Sequence, residues 1–188
     1  MSRRDPEDKK SRLLDSALTA FAAKGLAGAR VDEIAGAAAC SVGLVYSHFG
    51  SKEALFDAVL DHVTQQVITQ TAIKPSNLGE YASQLYEDAA THPEIGRFAA
   101  WHQLERRPGA VRDAVALATQ HDISAIQAAQ EAGEISDRVP AGELLVAIQA
   151  IARMWLTLPA EVVEAAEPTN SHRYRARAVR RVVDTLLR

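Results

Sequence analysis

Between Val31 and Leu55 the chain reads VDEIAGAAACSVGLVYSHFGSKEAL. The residue types there suit the holding of a polyanion better than the breaking of a bond. Two short helices, 31–38 and 42–48, joined by a tight turn at 39–41, make a helix-turn-helix pattern. Ser41 is a good N-cap for the second of them. Val45 and Phe49, four apart, can face a core, while Gly43, Leu44, Ser47 and His48 project elsewhere, toward a major groove if one is presented. Small residues near the start of that helix permit close approach. Ser51 then caps a further helix, with Lys52 in its first turn. Backbone N–H groups beside a lysine make an anion site that suits a phosphate.

The elements that must position these residues are helices. Leu13, Ala17 and Phe21 recur four apart, with Leu14, Leu18 and Ala22 beside them. They form one apolar stripe from about 9 to 24, which Gly25 can stop. Ile34 and Ala38 point the next short helix inward. Leu55, Val59, Val63 and Val67, again four apart, mark a helix from 52 to 70. Lys74-Pro75-Ser76-Asn77-Leu78-Gly79 punctuates the chain as a linker. Beyond it, helices are predicted near 78–91, 93–106, 109–132, 140–158 and 171–187, separated at His92-Pro93, Pro108-Gly109, Gly133, Pro140 and Pro159. No alternating strand pattern appears. The expectation is an all-α chain of about nine helices: a head at 1–50, a connecting helix at 51–74 and a larger helical body at 75–188.

At 188 residues and 47% hydrophobic content the chain can bury a core without staples, and its one cysteine, Cys40, excludes an intramolecular disulfide. Cys40 reads as a small turn filler. No apolar run approaches the roughly 20 residues that span a bilayer, so the expectation is a soluble, cytoplasmic protein with no membrane partner. The net charge of −3 conceals an uneven distribution. Residues 1–60 are balanced at eight basic and eight acidic side chains, 61–172 carry seven and fifteen, and 173–188 carry six and one. Arg3, Arg4, Lys9, Lys10 and Arg12 crowd the start, as a basic arm or a solubilising tail. Such a head on an acidic body permits a local phosphate contact. The six histidines show no pair at i, i+3 or i+4, and no phosphate-cradling glycine loop or nucleophile signature is present. No enzyme, metal site or cofactor is expected.

The segment at 9–60 resembles the N-terminal DNA-binding region of the TetR family of transcriptional regulators. The resemblance rests on Phe21 to Gly25, Ile34-Ala35, Val45-Tyr46-Ser47-His48-Phe49 and Ser51-Lys52-Glu53-Ala54-Leu55, in that order. It implies that Tyr46 and Lys52 meet the DNA backbone and that Ser41, Val42, Gly43, Leu44, Ser47 and His48 are the candidates for the rest of the interface. None of these is Arg, Asn or Gln, the side chains that read bases bidentately. Readout would rest on thymine methyls, hydroxyls and DNA shape. Taken singly, Tyr46, His48 and Lys52 also read as ordinary surface residues. The sequence departs from the family pattern in three places. Ala39 stands where a turn glycine is frequent, Arg30 where Ser or Thr often caps (leaving Asp32 to cap), and Val42 where a polar residue is common.

For the body, the resemblance implies a homodimer and a small-molecule effector of unknown identity. Apolar stripes on the last two long helices supply Leu144, Ile148, Ile151, Val179, Val182, Val183 and Leu186 as interface candidates, or as packing within one chain. Arg173, Arg175, Arg177, Arg180 and Arg181 would form a solvated or salt-bridged face. Tyr86, Phe98, Trp101, His102, Glu105, His121, Met154 and Trp155 are the effector-pocket candidates, although aromatics at helical spacing are also core. Glu105 beside Arg106 and Arg107 reads equally as a charged helix end. The expected function is that of a one-component, ligand-responsive regulator, read as a repressor, on a palindromic double-stranded DNA operator. A helical interaction scaffold is the rival.

Overall fold

The computed structural model describes residues 6–70, 73–105, 113–167 and 169–187. Among them are ten α-helices and no strand. In chain order these are α1 (Pro6–Gly28), α2 (Val31–Ala37), α3 (Val42–Phe49), α4 (Lys52–Gln70), α5 (Leu78–Thr91), α6 (Pro93–Glu105), α7 (Asp113–Glu131), α8 (Ala141–Thr157), α9 (Ala160–Ala166) and α10 (His172–Leu186). A single 3-10 turn at Pro75–Asn77 precedes α5 inside the expected linker. The seven-residue α9 is the addition to the sequence reading; it follows Pro159, which ends α8 and starts the next helix. The breaks expected at Pro108-Gly109 and the side chains of Arg3, Arg4, Arg106 and Arg107 lie outside the described residues.

The chain packs as two units. The first comprises residues 1–67 and 92–115, the second 68–91 and 116–188. These units cut across the division expected at 50/51 and 74/75, because most of α4 and all of α6 pack with the head. In the first unit, Leu13, Leu14, Ala17, Leu18, Phe21 and Ala22 of α1 are buried together with Ile34, Val45, Leu55, Phe56, Val59, Val63 and Phe98. The α1 stripe read from the sequence is therefore the spine of this core. Phe21 meets Phe56 edge-on at 4.9 Å between ring centroids, and Phe56 meets Phe98 at 5.0 Å. Such aromatic contacts add to the burial of large apolar area.

The second unit closes around Leu78, Tyr81, Ala82 and Tyr86 of α5, Ile126 of α7, Leu144, Leu145, Ile148 and Ala152 of α8, and Ala176, Val179 and Val183 of α10. Arg180 of α10 pairs with Glu80 of α5 at 2.6 Å and with Asp184 at 3.7 Å. Arg175 is the salt-bridged rather than the solvated case of the face expected of it, and the pair is buried. It is 8% exposed and its Nε donates to Glu167, 3% exposed, at 3.1 Å. Glu167 also accepts from Thr169 and, at 2.9 Å, from the Ser171 N–H. This buried carboxylate ties the α9–α10 connection to α10.

Candidate nucleic-acid interface

In the turn between α2 and α3, where the family pattern often has glycine, Ala39 is left-handed, with φ 52°. Left-handed backbone costs alanine on the order of 1 kcal/mol relative to glycine. The Cys40 N–H donates to Ala35 O at 2.9 Å, and the half-buried Cys40 side chain packs against the head core. Asp32 does not take over the cap of α2. Arg30 occupies that position without a side-chain cap bond, and its guanidinium holds Asp32 instead, at 2.8 and 3.1 Å. That hydrogen bond keeps the Asp32 carboxyl below the ordinary carboxylate range.

α3 presents one anchored and one open face. Val45 is 2% exposed, Leu44 and Phe49 are half-buried, and Ser41, Val42, Gly43, Tyr46, Ser47 and His48 are exposed. Ser41 is the N-cap, its Oγ accepting from the Leu44 N–H at 3.2 Å. Its own O–H remains able to donate outward. Ser47 donates its hydroxyl to Leu44 O at 2.9 Å. Gly50, at φ 79°, ends the helix in a conformation that suits glycine. Ser51 then caps α4, its Oγ accepting from the Ala54 N–H at 3.0 Å.

Lys52 stands at the start of α4, half-buried. Its ammonium donates to Ala29 O at 3.2 Å and reaches Ala27 O at 3.5 Å. This attachment to the segment between α1 and α2 was not legible in the sequence, which showed only a first-turn lysine. Lys9 and Lys10 of the basic arm are exposed and Arg12 is half-buried.

The residues expected to line an effector pocket are divided between the two units. Phe98, fully buried, belongs to the head core, and Trp101 packs against the same core. His102 stacks on Phe56 at 5.4 Å and lies 3.8 Å from Asp57 Oδ1. Glu105 accepts the N–H groups of Leu26 and, at 3.3 Å, Ala27. In the second unit, the buried Tyr86 places its hydroxyl 3.2 Å from His172 Nδ1. Met154 and Trp155 pack at the margin of the second core, with the Arg175 guanidinium 5.8 Å from the Trp155 ring centroid. The Trp155 indole N–H is buried with no acceptor among the described residues. His121 is exposed on α7.

Of the interface candidates, Leu144, Ile148, Val179 and Val183 are at most 2% exposed and fill the second unit's own core. They are spent within one chain because α5 covers the α8–α10 seam. Ile151 is half-buried, and Val182 and Leu186 are 40% and 46% exposed. The apolar residues that α8 leaves open are Val146, 66% exposed, Ala150 and, at its C-terminal end, Leu156, 41% exposed. No single helix among the described residues is long and apolar enough to cross a membrane.

Residues 13–59 match the family described as bacterial regulatory proteins, tetR family, and residues 77–184 match that described as tetracyclin repressor-like, C-terminal domain. The chain is similar to the HTH-type transcriptional repressor SCO4008 of Streptomyces coelicolor, 31% identical over 170 residues that cover 85% of this chain and 84% of the relative. It is also similar to the HTH-type transcriptional repressor NicS of Pseudomonas putida, 35% identical over 104 residues, covering 52% of this chain and 49% of that one. The structure resembles that of SCO4942 of Streptomyces coelicolor with a TM-score of 0.83, at 30% identity, covering 95% of this chain and 97% of that one. It shares the fold of Salmonella enterica GusR with a TM-score of 0.66 at 21% identity, over 98% of each chain.

Proposed function

The chain belongs to the TetR family of bacterial transcriptional regulators, and on that footing we propose that it is a cytoplasmic, homodimeric repressor released from its operator by a small molecule. The observation that carries this reading is α3: one face anchored by Val45 and Phe49, the other opened by Val42, Gly43, Tyr46, Ser47 and His48. A helix so held can enter a major groove without unfolding anything. Val42 and Leu44 offer apolar contact to thymine methyls, and the Ser41 hydroxyl offers a donor. Tyr46, His48 and Lys52 carry the polar groups offered to backbone phosphates. Specificity then rests partly on DNA shape, since no bidentate reader stands on the open face.

Dimerisation would use what the second unit leaves uncovered. Val146 and Ala150 on α8, with Val182 and Leu186 on α10, are the apolar residues offered to a second copy. A two-fold dimer matches a palindrome with half-sites about one helical turn, roughly 34–36 Å, apart. The effector acts by linkage, shifting the dimer toward head placements that no longer match that spacing. Coupling of about 1–3 kcal/mol would change operator affinity about 5–150-fold. Selection from a randomised duplex pool tests the reading. An inverted repeat with half-sites one turn apart is the expected product. A pool that stays unenriched after repeated rounds refutes it.

A further inference from the structure

We infer that Glu105 is a positioning residue for DNA binding: at the end of α6 its carboxylate holds the N–H groups of Leu26 and Ala27 and thereby sets the segment from which α2 and α3 start. The inference rests on the reading of the head as a DNA-binding unit and adds the means by which α6 governs it. Gly25 breaks α1 with φ 68° and ψ −177°, a combination essentially reserved for glycine. N–H groups just past such a break lack acceptors within their own turn. Glu105 supplies both from another helix, through charge-assisted bonds stronger than neutral ones.

The approach of α6 depends on Gly25 as well. A Cβ at that position would lie 2.8 Å from Trp101 Cε3 and 2.9 Å from Glu105 Oε1. Phe98, with Ile95 and Trp101, fixes α6 against the head core. The carbonyls of Ala27 and Ala29, in the same short segment, are taken by Lys52 of α4. The segment 26–29 therefore has two N–H groups, those of Leu26 and Ala27, held by α6 and two C=O groups, those of Ala27 and Ala29, held by α4, while the Ala29 N–H stays with Gly25 O at 3.2 Å. Along the chain, α6 follows α5 and precedes α7, and all of α5 and most of α7 belong to the second unit. A force delivered along the chain to α6 is delivered to two amides in the segment that leads from α1 into α2.

Linkage is reciprocal, so a signal that can pass from body to head also passes from head to body. A DNA duplex is then a sufficient probe, and no effector is needed. The test is amide hydrogen exchange on the full chain, alone and with a duplex selected from a randomised pool. In the free protein, Glu105→Ala should speed exchange at Leu26 and Ala27 by about tenfold or more, leaving Ile148 in the second core unchanged. Glu105→Gln, which keeps an acceptor oxygen, should fall between it and the parent and serves if the alanine variant does not fold. With duplex, the parent should gain several-fold protection across α6 as well as α3, and Glu105→Ala across α3 alone. Unchanged exchange at Leu26 and Ala27, or equal α6 protection in the variant, overturns the inference while leaving the regulator reading intact. Failure to select any duplex overturns both.

Discussion

The hydroxyl of Ser47 is committed to the carbonyl of Leu44, one turn back on α3, at 2.9 Å. Outward, this side chain is therefore an acceptor. In a major groove its partners are the exocyclic amines of adenine or cytosine, and not the O6 and N7 acceptors of guanine. Ser47→Ala should relax preference at one base pair per half-site by about 0.5–1.5 kcal/mol, the worth of a single hydrogen bond, and leave other positions unchanged. A selection repeated with the variant reads this directly. Equal loss at every position would place Ser47 outside the base-reading set.

Lys52 carries three donors, and Ala29 O and Ala27 O take two of them, at 3.2 and 3.5 Å. A phosphate can take another. Lys52→Ala should therefore act twice: the slope of log affinity against log salt falls by about 0.9 per half-site, and the free protein loses about 1 kcal/mol of stability. Titrations at several salt concentrations separate the two effects. A loss of stability with an unchanged slope would confine Lys52 to its role in joining α4 to the α1–α2 connection.

Ala39 sits at φ 52° between α2 and α3. Ala39→Gly should stabilise the head by about 1 kcal/mol, the relief of the left-handed strain outweighing the looser unfolded chain. Thermal unfolding checks the sign. A lower midpoint would show that the Ala39 methyl contributes more by contact than its backbone costs.

Phe98 lies in the head core, between Phe21 and Phe56. Phe98→Ala should cost about 3–5 kcal/mol, and hydrogen exchange should locate the loss in α1, α4 and α6. Loss confined to α5 and α8 would return Phe98 to the body.

Glu167 accepts from Thr169, from the Ser171 N–H and from Arg175, and these bonds hold its carboxyl below the ordinary glutamate range. A depressed folded-state pKa stabilises above the unfolded value, and the contribution disappears as pH falls through the folded one. Glu167→Gln should therefore flatten the acid side of the stability profile, below the ordinary glutamate range, and leave its alkaline side unchanged. An acid limb identical to the parent's would remove Glu167 from the linkage.

The head was legible because its signals are local. Leu13, Ala17 and Phe21 at four-residue spacing, the Ser41 and Ser51 caps and the break at Gly25 each act within a turn or two of sequence. The body was less so, since apolar periodicity shows that a helix has an inner face without saying whose core it enters. Phe98 and Trp101 were read toward a body pocket and pack in the head. Leu144, Ile148, Val179 and Val183 read equally as facing a second copy or as packing within one chain, and they fill the core of one chain. Arg175 did have a signal: it stands four residues before Val179 and eight before Val183, on the buried stripe. The grip of Glu105 on Leu26 and Ala27 joins positions 79 and 78 residues apart, and no local pattern encodes it.

The proposed function has this chain read DNA sequence through the open face of α3. Fluorescence anisotropy against a selected duplex and a scrambled one of the same length, at two salt concentrations, tests it most directly. Tight binding to the selected duplex is expected at two protomers per inverted repeat, weakening with salt, with binding to the scrambled duplex weaker by about 10³-fold or more. Equal affinity for both duplexes at both salt concentrations would contradict it.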